Sequence, residues 1–176
     1  SPHLVRYNER IRIDGEPVAD APICAAFARV EAARGDVPLT YFEFATLAAL
    51  LLFGETPLDV VILEVGLGGR LDAVNLVDAD VALICSIGLD HQAWLGNDRE
   101  SIGREKAGIL RAGRPAVFSG ADIPQSIRDV AANLGAGLRV AGEDFRVRRV
   151  ADHWDLVTDG HTRRALPLPT MRGACQ

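Results

Sequence analysis

The chain has 176 residues, a hydrophobic content of 48% and a formal net charge of −5 at pH 7. These values are typical of one folded domain with a full core, and they exclude an intrinsically disordered protein. The negative charge argues against a protein that binds nucleic acid by neutralising phosphates over a broad face. The longest apolar stretch, residues 44–53, is too short to span a bilayer.

The cysteines indicate the compartment. Cys24, Cys85 and Cys175 are far apart in the sequence and follow no metal-binding spacing. Cys85 lies in an apolar run, where a buried thiol is the usual outcome. The sequence therefore predicts a soluble cytoplasmic protein. Because the chain starts without methionine and stops soon after a proline-rich segment, we also expect it to be a piece of a longer protein.

The first 54 residues predict a hairpin and two helices. Ile11 and Ile13 alternate before Asp14-Gly15, which is typical of a short hairpin, and we expect the charges around it to be mostly solvated. A helix is predicted from Asp20 to Gly35.

The second helix has a predicted cap. Thr40 precedes it and Glu43 follows three residues later, which is the capping-box pattern. Its apolar residues predict a helix that is buried almost all round. Tyr41 and Phe42 in its first turn are either core residues or a platform for a flat ring.

A glycine-rich turn follows the next apolar run. Residues 60–63 predict a strand buried on both faces, which ends at Glu64 and leads into a turn at 66–69. A dinucleotide site is rejected because Leu71 stands where a third small residue is needed. A plain exposed turn remains an alternative. We favour a metal and phosphate site in which Glu64 supplies an oxygen ligand to a hard cation.

A second polar cluster follows a second predicted strand. Residues 79–87 form that strand, and Asp90 and His91 come after it. A helix capped by Asn97 or Asp98 is predicted over 99–110. Lys106 falls on the apolar face of that helix, so it either extends its amine to solvent or is a functional lysine that faces Glu64 and His91.

The remaining pattern predicts the fold class. Strands at 116–119 and 138–140 enclose a helix at 123–134, and this alternation predicts an α/β fold. We expect a doubly wound, mostly parallel sheet with flanking helices. From Phe145 onward the pattern is typical of a small antiparallel β meander near the C-terminus, and we assign its histidines, His153 and His161, no role.

Five segments of the chain stand out in order, and they read SPHL at 1–4, TYFE at 40–43, EVGLGGRLDA at 64–73, LDHQAWLG at 89–96 and REKAGI at 104–109. Together they resemble the bacterial folylpolyglutamate synthase and dihydrofolate synthase family of the Mur ligase superfamily. The resemblance implies that residues 1–165 are part of a central ATP-binding domain. It implies that residues 166–176 begin a linker to a C-terminal domain.

The resemblance also implies roles for individual residues. The implied magnesium ligands are Ser1, Glu64, His91 and Lys106, the last carboxylated on its amine. Glu64, His91 and the modified Lys106 are the implied catalytic residues. The segments that match the family's pterin-substrate site comprise Thr40, Tyr41, Phe42, Glu43, Leu71, Asp72 and Ala73.

The implied reaction is ATP-dependent addition of L-glutamate to dihydropteroate, to folates that already carry glutamate, or to both, through an acyl phosphate. Mg²⁺ would be the cofactor and ATP a substrate, with small molecules as partners, no nucleic acid, no membrane and a monomeric intact enzyme. The 176 residues contain no GxxxxGK[ST] phosphate loop. We therefore expect this piece alone to be inactive.

Two other functions compete with this interpretation. A muramyl-peptide ligase of the same superfamily is the nearer one, but the aromatic segment 40–43 suits a pterin better than a nucleotide sugar. A non-catalytic binding remnant is the other.

Overall fold

The computed structural model describes residues 3–168 and divides the chain into two compact units. The first comprises residues 3–67 and 72–76, and the second comprises residues 68–71 and 77–168. Ser1 of the implied magnesium set, Cys175 and most of the implied linker lie outside the described residues.

The first unit is built from a hairpin and two long helices. Its elements are a 3-10 helix Tyr7–Arg10, strands β1 Arg12–Ile13 and β2 Glu16–Pro17, helices α1 Asp20–Arg34 and α2 Tyr41–Gly54, and a 3-10 helix Ala73–Leu76. The predicted hairpin is confirmed. Asp14 and Gly15 both have positive φ, 52° and 83°, as the tightest hairpin turns require.

The helices α1 and α2 pack through a small core that contains Ala26, Val30 and Ala48. The predicted start of α2 is confirmed, since Thr40 and Glu43 form the capping box. The prediction that α2 is buried almost all round is wrong. Thr46 and Ala48 are its buried residues, because α1 covers one side of the helix and the other side remains partly exposed.

The predicted strand at 60–63 is also wrong. Residues 60–65 belong to no strand, and Val60 and Ile62 are 73% and 88% exposed. A strand is buried only when neighbours pair with its edges and cover its faces. Within residues 3–168, no strand pairs with this segment.

The second unit carries the parallel sheet. Its elements are β3 Ala82–Ile84, α3 Gln92–Leu95, α4 Arg99–Ala107, β4 Pro115–Phe118, α5 Gln125–Leu134 and β5 Gly137–Val140. The strands lie in the order β3-β4-β5, and both pairs are parallel. The predicted α/β fold with a parallel sheet is therefore confirmed.

The core of this unit lies between the sheet and the helices α4 and α5. Phe118 at the centre of the sheet and Ile102 and Ile127 on the helices are almost completely buried. The expectation of a buried Cys85 is wrong, because β3 buries Ala82 and Ile84 on one face and Cys85 itself is exposed.

The antiparallel meander is confirmed. Its strands are β6 Phe145–Val150, β7 His153–Thr158 and β8 His161–Pro167. Asp155, a buried residue of β7, accepts hydrogen bonds from Arg148 Nη2 at 2.6 Å and from the Ala165 amide at 3.0 Å. In the part of the chain that the structure describes, no helix is long and apolar enough to cross a membrane.

Candidate active site

The first half of the glycine turn lies against an aromatic ring. A Cβ added at Gly66 would lie 2.9 Å from Cζ of Phe42, so any larger residue here would require the Phe42 ring to shift. Phe42 and Glu64 line the same cavity of about 550 Å³ within the first unit. The fold of this unit therefore brings an implied substrate residue and an implied metal ligand to one cavity.

Asp72 closes the same turn. Its Oδ2 accepts hydrogen bonds from the amides of Gly66 and Leu67, each at 3.0 Å, and its Oδ1 accepts one from the Val74 amide at 3.0 Å. Both carboxylate oxygens are thus bonded to backbone. The geometry gives Asp72 a structural task in addition to the substrate contact that the resemblance implies.

The segment 40–43 combines two tasks. Thr40 Oγ1 accepts from the Glu43 amide at 3.2 Å, and Glu43 Oε2 accepts from the Thr40 amide at 2.7 Å. The Thr40 amide, and then its hydroxyl, hold the pKa of the Glu43 carboxyl below its usual value. These cap hydrogen bonds fix the backbone of the first turn. The Tyr41 side chain in that turn is 63% exposed.

The N-terminal segment makes a contact with this site that the sequence did not predict. We expected the charges there to be mostly solvated, but the Arg10 guanidinium lies 5.7 Å from the centroid of the Tyr41 ring. Tyr7 meets the same ring in an edge arrangement at 6.1 Å. The signal that could have found this pair is an aromatic residue and an arginine three positions apart.

The second half of the glycine turn packs on the end of α4 in the second unit. A Cβ at Gly69 would lie 3.0 Å from the carbonyl oxygens of both Glu105 and Lys106. The Arg70 amide donates to the Glu105 carbonyl at 2.9 Å, and Arg70 Nε donates to Glu105 Oε1 at 3.1 Å. The backbone beside Lys106 is therefore closely covered, while the Lys106 residue itself is half-buried. Of the other implied substrate residues, Leu71 is exposed and Ala73 begins a 3-10 helix.

His91 has an unusual backbone. It lies after β3 with φ 51° and ψ 37°, the left-handed region that few non-glycine residues adopt. Its carbonyl accepts the amides of Trp94 and Leu95 in α3, and its own amide donates to Asp90 Oδ1 at 2.7 Å. The imidazole is exposed. Such conformations persist where the surrounding structure fixes them, often at functional sites.

The implied metal ligands suit a hard cation by their chemistry. A carboxylate, a hydroxyl and a carboxylated amine offer oxygen atoms, which Mg²⁺ prefers, and His91 adds one nitrogen. Within residues 3–168, no three His, Cys, Asp or Glu side chains lie together as a metal cluster. That finding does not bear on the implied set, since Glu64 and His91 are its only members of those four residue types.

Comparison with known proteins identifies relatives over almost all of the chain, although no family model matches it. The dihydrofolate synthase/folylpolyglutamate synthase of Escherichia coli (strain K12) is 56% identical over 170 residues, which are 96% of this chain and 40% of that protein. E. coli FolC, solved in complex with DHPP and ADP, superposes with a TM-score of 0.94 at 53% identity over 98% of this chain and 42% of its own.

A further solved relative was determined with bound ligands. This bifunctional folylpolyglutamate synthase/dihydrofolate synthase has Mn, AMPPNP and L-glutamate bound, and it matches with a TM-score of 0.90 at 56% identity over 96% of this chain and 41% of its own. The chain thus spans about two fifths of the length of these relatives. On this likeness in sequence and fold, the chain belongs to the dihydrofolate synthase/folylpolyglutamate synthase family.

Proposed function

We propose that the whole protein is an ATP-dependent ligase that adds L-glutamate to dihydropteroate, to glutamylated folates, or to both. The substrate carboxylate attacks the γ-phosphorus of ATP, which forms an acyl phosphate and releases ADP. The glutamate amine then attacks the acyl carbon, loses a proton and displaces phosphate. Such phosphoryl transfer depends mainly on positioning and on neutralising charge.

The observation that carries the proposal is Lys106. It is the one lysine in a chain with 18 arginines, so this position carries an amine where the chain otherwise uses a guanidinium. The two cations differ chemically, because an amine can become neutral and react with carbon dioxide whereas a guanidinium stays charged. We propose that Lys106 is carboxylated, which turns a half-buried cation into an oxygen-rich anion.

We further propose that Ser1, Glu64, His91 and carboxylated Lys106 hold magnesium. The ion, when bound, neutralises charge on the phosphates. Three features support this set. Glu64 shares a cavity with Phe42, His91 has a left-handed backbone at the start of α3, and Lys106 lies on the last turn of α4.

The remaining implied assignments are also proposals. Residues 40–43 and 71–73 hold the pterin-bearing substrate, and Tyr41 and Phe42 supply its apolar contacts. Residues 1–165 belong to the central ATP-binding domain, and 166–176 begin a linker. We propose that the intact enzyme is a cytoplasmic monomer. Its binding partners are small-molecule substrates, and it binds neither nucleic acid nor a membrane.

Substitution of Lys106 in the full-length protein tests the proposal. Lys106→Ala and Lys106→Arg should both abolish folate-dependent ADP formation without unfolding the protein, because neither side chain can be carboxylated. Arg104→Ala is the matched control, since Arg104 is an exposed cation on the same helix. It should retain activity. Near-normal ligation by Lys106→Arg would remove the carboxylated lysine from the mechanism.

A second readout does not depend on activity. Incubation with ¹³C-bicarbonate should give a carbamate signal in the carbon spectrum of the full-length protein. That signal should be lost in Lys106→Arg and kept in Arg104→Ala. A spectrum that is identical for the wild type and Lys106→Arg would contradict carboxylation of this residue.

A further inference from the structure

The Tyr41 ring contacts two side chains from the N-terminal 3-10 helix. A 3-10 helix has three residues per turn, so side chains three apart lie one above the other. Tyr7 and Arg10 have that spacing, and both reach the Tyr41 ring, Tyr7 in a T-shaped ring contact and Arg10 through its guanidinium. This contact joins two segments that are more than thirty residues apart in the sequence.

The two contacting side chains are themselves held in place. Arg10 Nε donates to His3 Nδ1 at 2.8 Å, and Tyr7 packs its ring against Phe27 at 5.6 Å. The helix that carries them is anchored by Glu9, whose carboxylate accepts the amides of Leu4, Val5 and Arg6 at 2.8–3.0 Å. The support of Tyr41 is therefore connected to the core of the first unit.

We propose that Arg10 and Tyr7 are positioning residues that hold the Tyr41 ring in place to stack on the flat bicyclic heteroaromatic ring of the substrate. The inference rests on the proposed function, in which Tyr41 belongs to the pterin-binding segment. An exposed tyrosine loses side-chain freedom when a ligand binds, and a ring already held by two contacts loses less. Arg10 and Tyr7 thus act through Tyr41.

A double-mutant cycle in the full-length enzyme tests this role. The probe is dihydropteroate, and the readouts are its KM, the KM of ATP and kcat. Arg10→Met removes the cation and keeps the length of the side chain. We expect it to raise the KM of dihydropteroate about threefold to fivefold, the scale of an exposed cation–π contact, with the other two values unchanged.

The background variants separate positioning from general damage. The Arg10→Met effect should persist in Tyr41→Phe, which keeps the ring, and disappear in Tyr41→Leu, which removes it. Arg6→Met is the matched control, because Arg6 pairs with Asp20 on the exposed surface and should leave every KM unchanged. Thermal unfolding of each variant checks that it folds.

Two outcomes are decisive. An Arg10→Met effect of equal size with and without the Tyr41 ring, or no effect on the KM of dihydropteroate, would overturn the inference while the ligase assignment stands. A wild-type full-length protein that forms no glutamate adduct would instead remove the proposed function itself. The two failures are therefore distinguishable.

Discussion

At the scale of single residues, carboxylates around this site bind backbone amides. Glu9 accepts three amides of the N-terminal segment, and Asp72 accepts three amides of the glycine turn. An acceptor that satisfies several donors fixes a loop that has few apolar contacts of its own. Removal of such a carboxylate should therefore destabilise its loop more than removal of a nearby charged group that accepts no backbone amide.

Asp72 allows a direct test. Asp72→Ala leaves the amides of Gly66, Leu67 and Val74 without their acceptor, which should cost about 1 kcal/mol of unfolding free energy in the full-length protein. Faster hydrogen exchange at Gly66 and Leu67 measures the local effect. Asp59→Ala, an exposed carboxylate of the same unit, is the control. Unchanged exchange in Asp72→Ala would show that water replaces the carboxylate without loss.

Glu9 predicts a pH dependence. The amides of Leu4, Arg6 and Val5 lower the pKa of the Glu9 carboxyl from 4.5 to about 2. A depressed pKa means that this carboxylate stabilises the folded segment fully above pH 4.5 and loses that effect as the pH falls towards 2. Amide resonances of Leu4 and Val5 should therefore shift in that window. Glu9→Gln should abolish the shift, and a midpoint near 4.5 in the wild type would contradict the bonding.

At the scale of elements, α4 caps α5. Glu100, in the first turn of α4, accepts the amide of Gln125 at 3.0 Å and that of Ser126 at 2.7 Å. These bonds, with that of Ser126 first, lower the pKa of the Glu100 carboxyl. The side chain from one helix thus satisfies the first amides of the next, a task that a local capping residue usually performs.

Glu100→Ala should reduce the unfolding free energy by about 1 kcal/mol, the typical cost of a lost helix cap. Glu143→Ala is the matched control, since it removes an exposed ion pair with Arg128 that should contribute less than about 0.5 kcal/mol. Urea titration of both variants measures the difference. Equal stability of the two variants would mean that the Glu100 bonds do not matter for the fold.

The elements that sequence could predict are those fixed by local chemistry. The capping box of Thr40 and Glu43, the Asp14-Gly15 turn and the Asp98 cap each depend on residues a few positions apart. The segment 60–63 could not be predicted in this way, because burial of a strand depends on partners distant in sequence. The exposure of Cys85 could not be predicted for a similar reason, because it depends on which face of β3 packs against the core. Ala82 and Ile84 lie on that face.

At the scale of the whole molecule, the chain covers about two fifths of its relatives and contains no GxxxxGK[ST] segment. We predict that purified 1–176 forms no ADP in the presence of dihydropteroate and glutamate, because the residues that would cradle the phosphates are missing from it. A coupled ADP assay measures this, with the full-length enzyme as the positive control. Substrate-dependent ADP formation by the piece would contradict the prediction.

The candidate site could be predicted from sequence as a set of residue types at the ends of particular elements. Glu64 follows an apolar run that is not the predicted strand, and His91 lies after β3 as expected. Lys106 lies in the last turn of α4, because that helix ends at Ala107 and not at the predicted residue 110. Their convergence on one cation stays a prediction, because Glu64 belongs to the first unit and the other two to the second. The spacing of Tyr7 and Arg10 indicates that the two side chains share one face of a 3-10 helix, but it does not indicate that they meet Tyr41, which lies more than thirty residues away in the sequence.

The left-handed backbone of His91 implies a trade-off between robustness and turnover. Glycine adopts this conformation without a steric penalty, so His91→Gly should relieve strain and raise the melting temperature of the full-length protein slightly. The proposed role of His91 as a magnesium ligand predicts that the same change lowers the rate. Variants selected only for heat resistance would then accumulate changes at this position and lose catalysis. An enzyme under selection for both properties has to tolerate a strained histidine there.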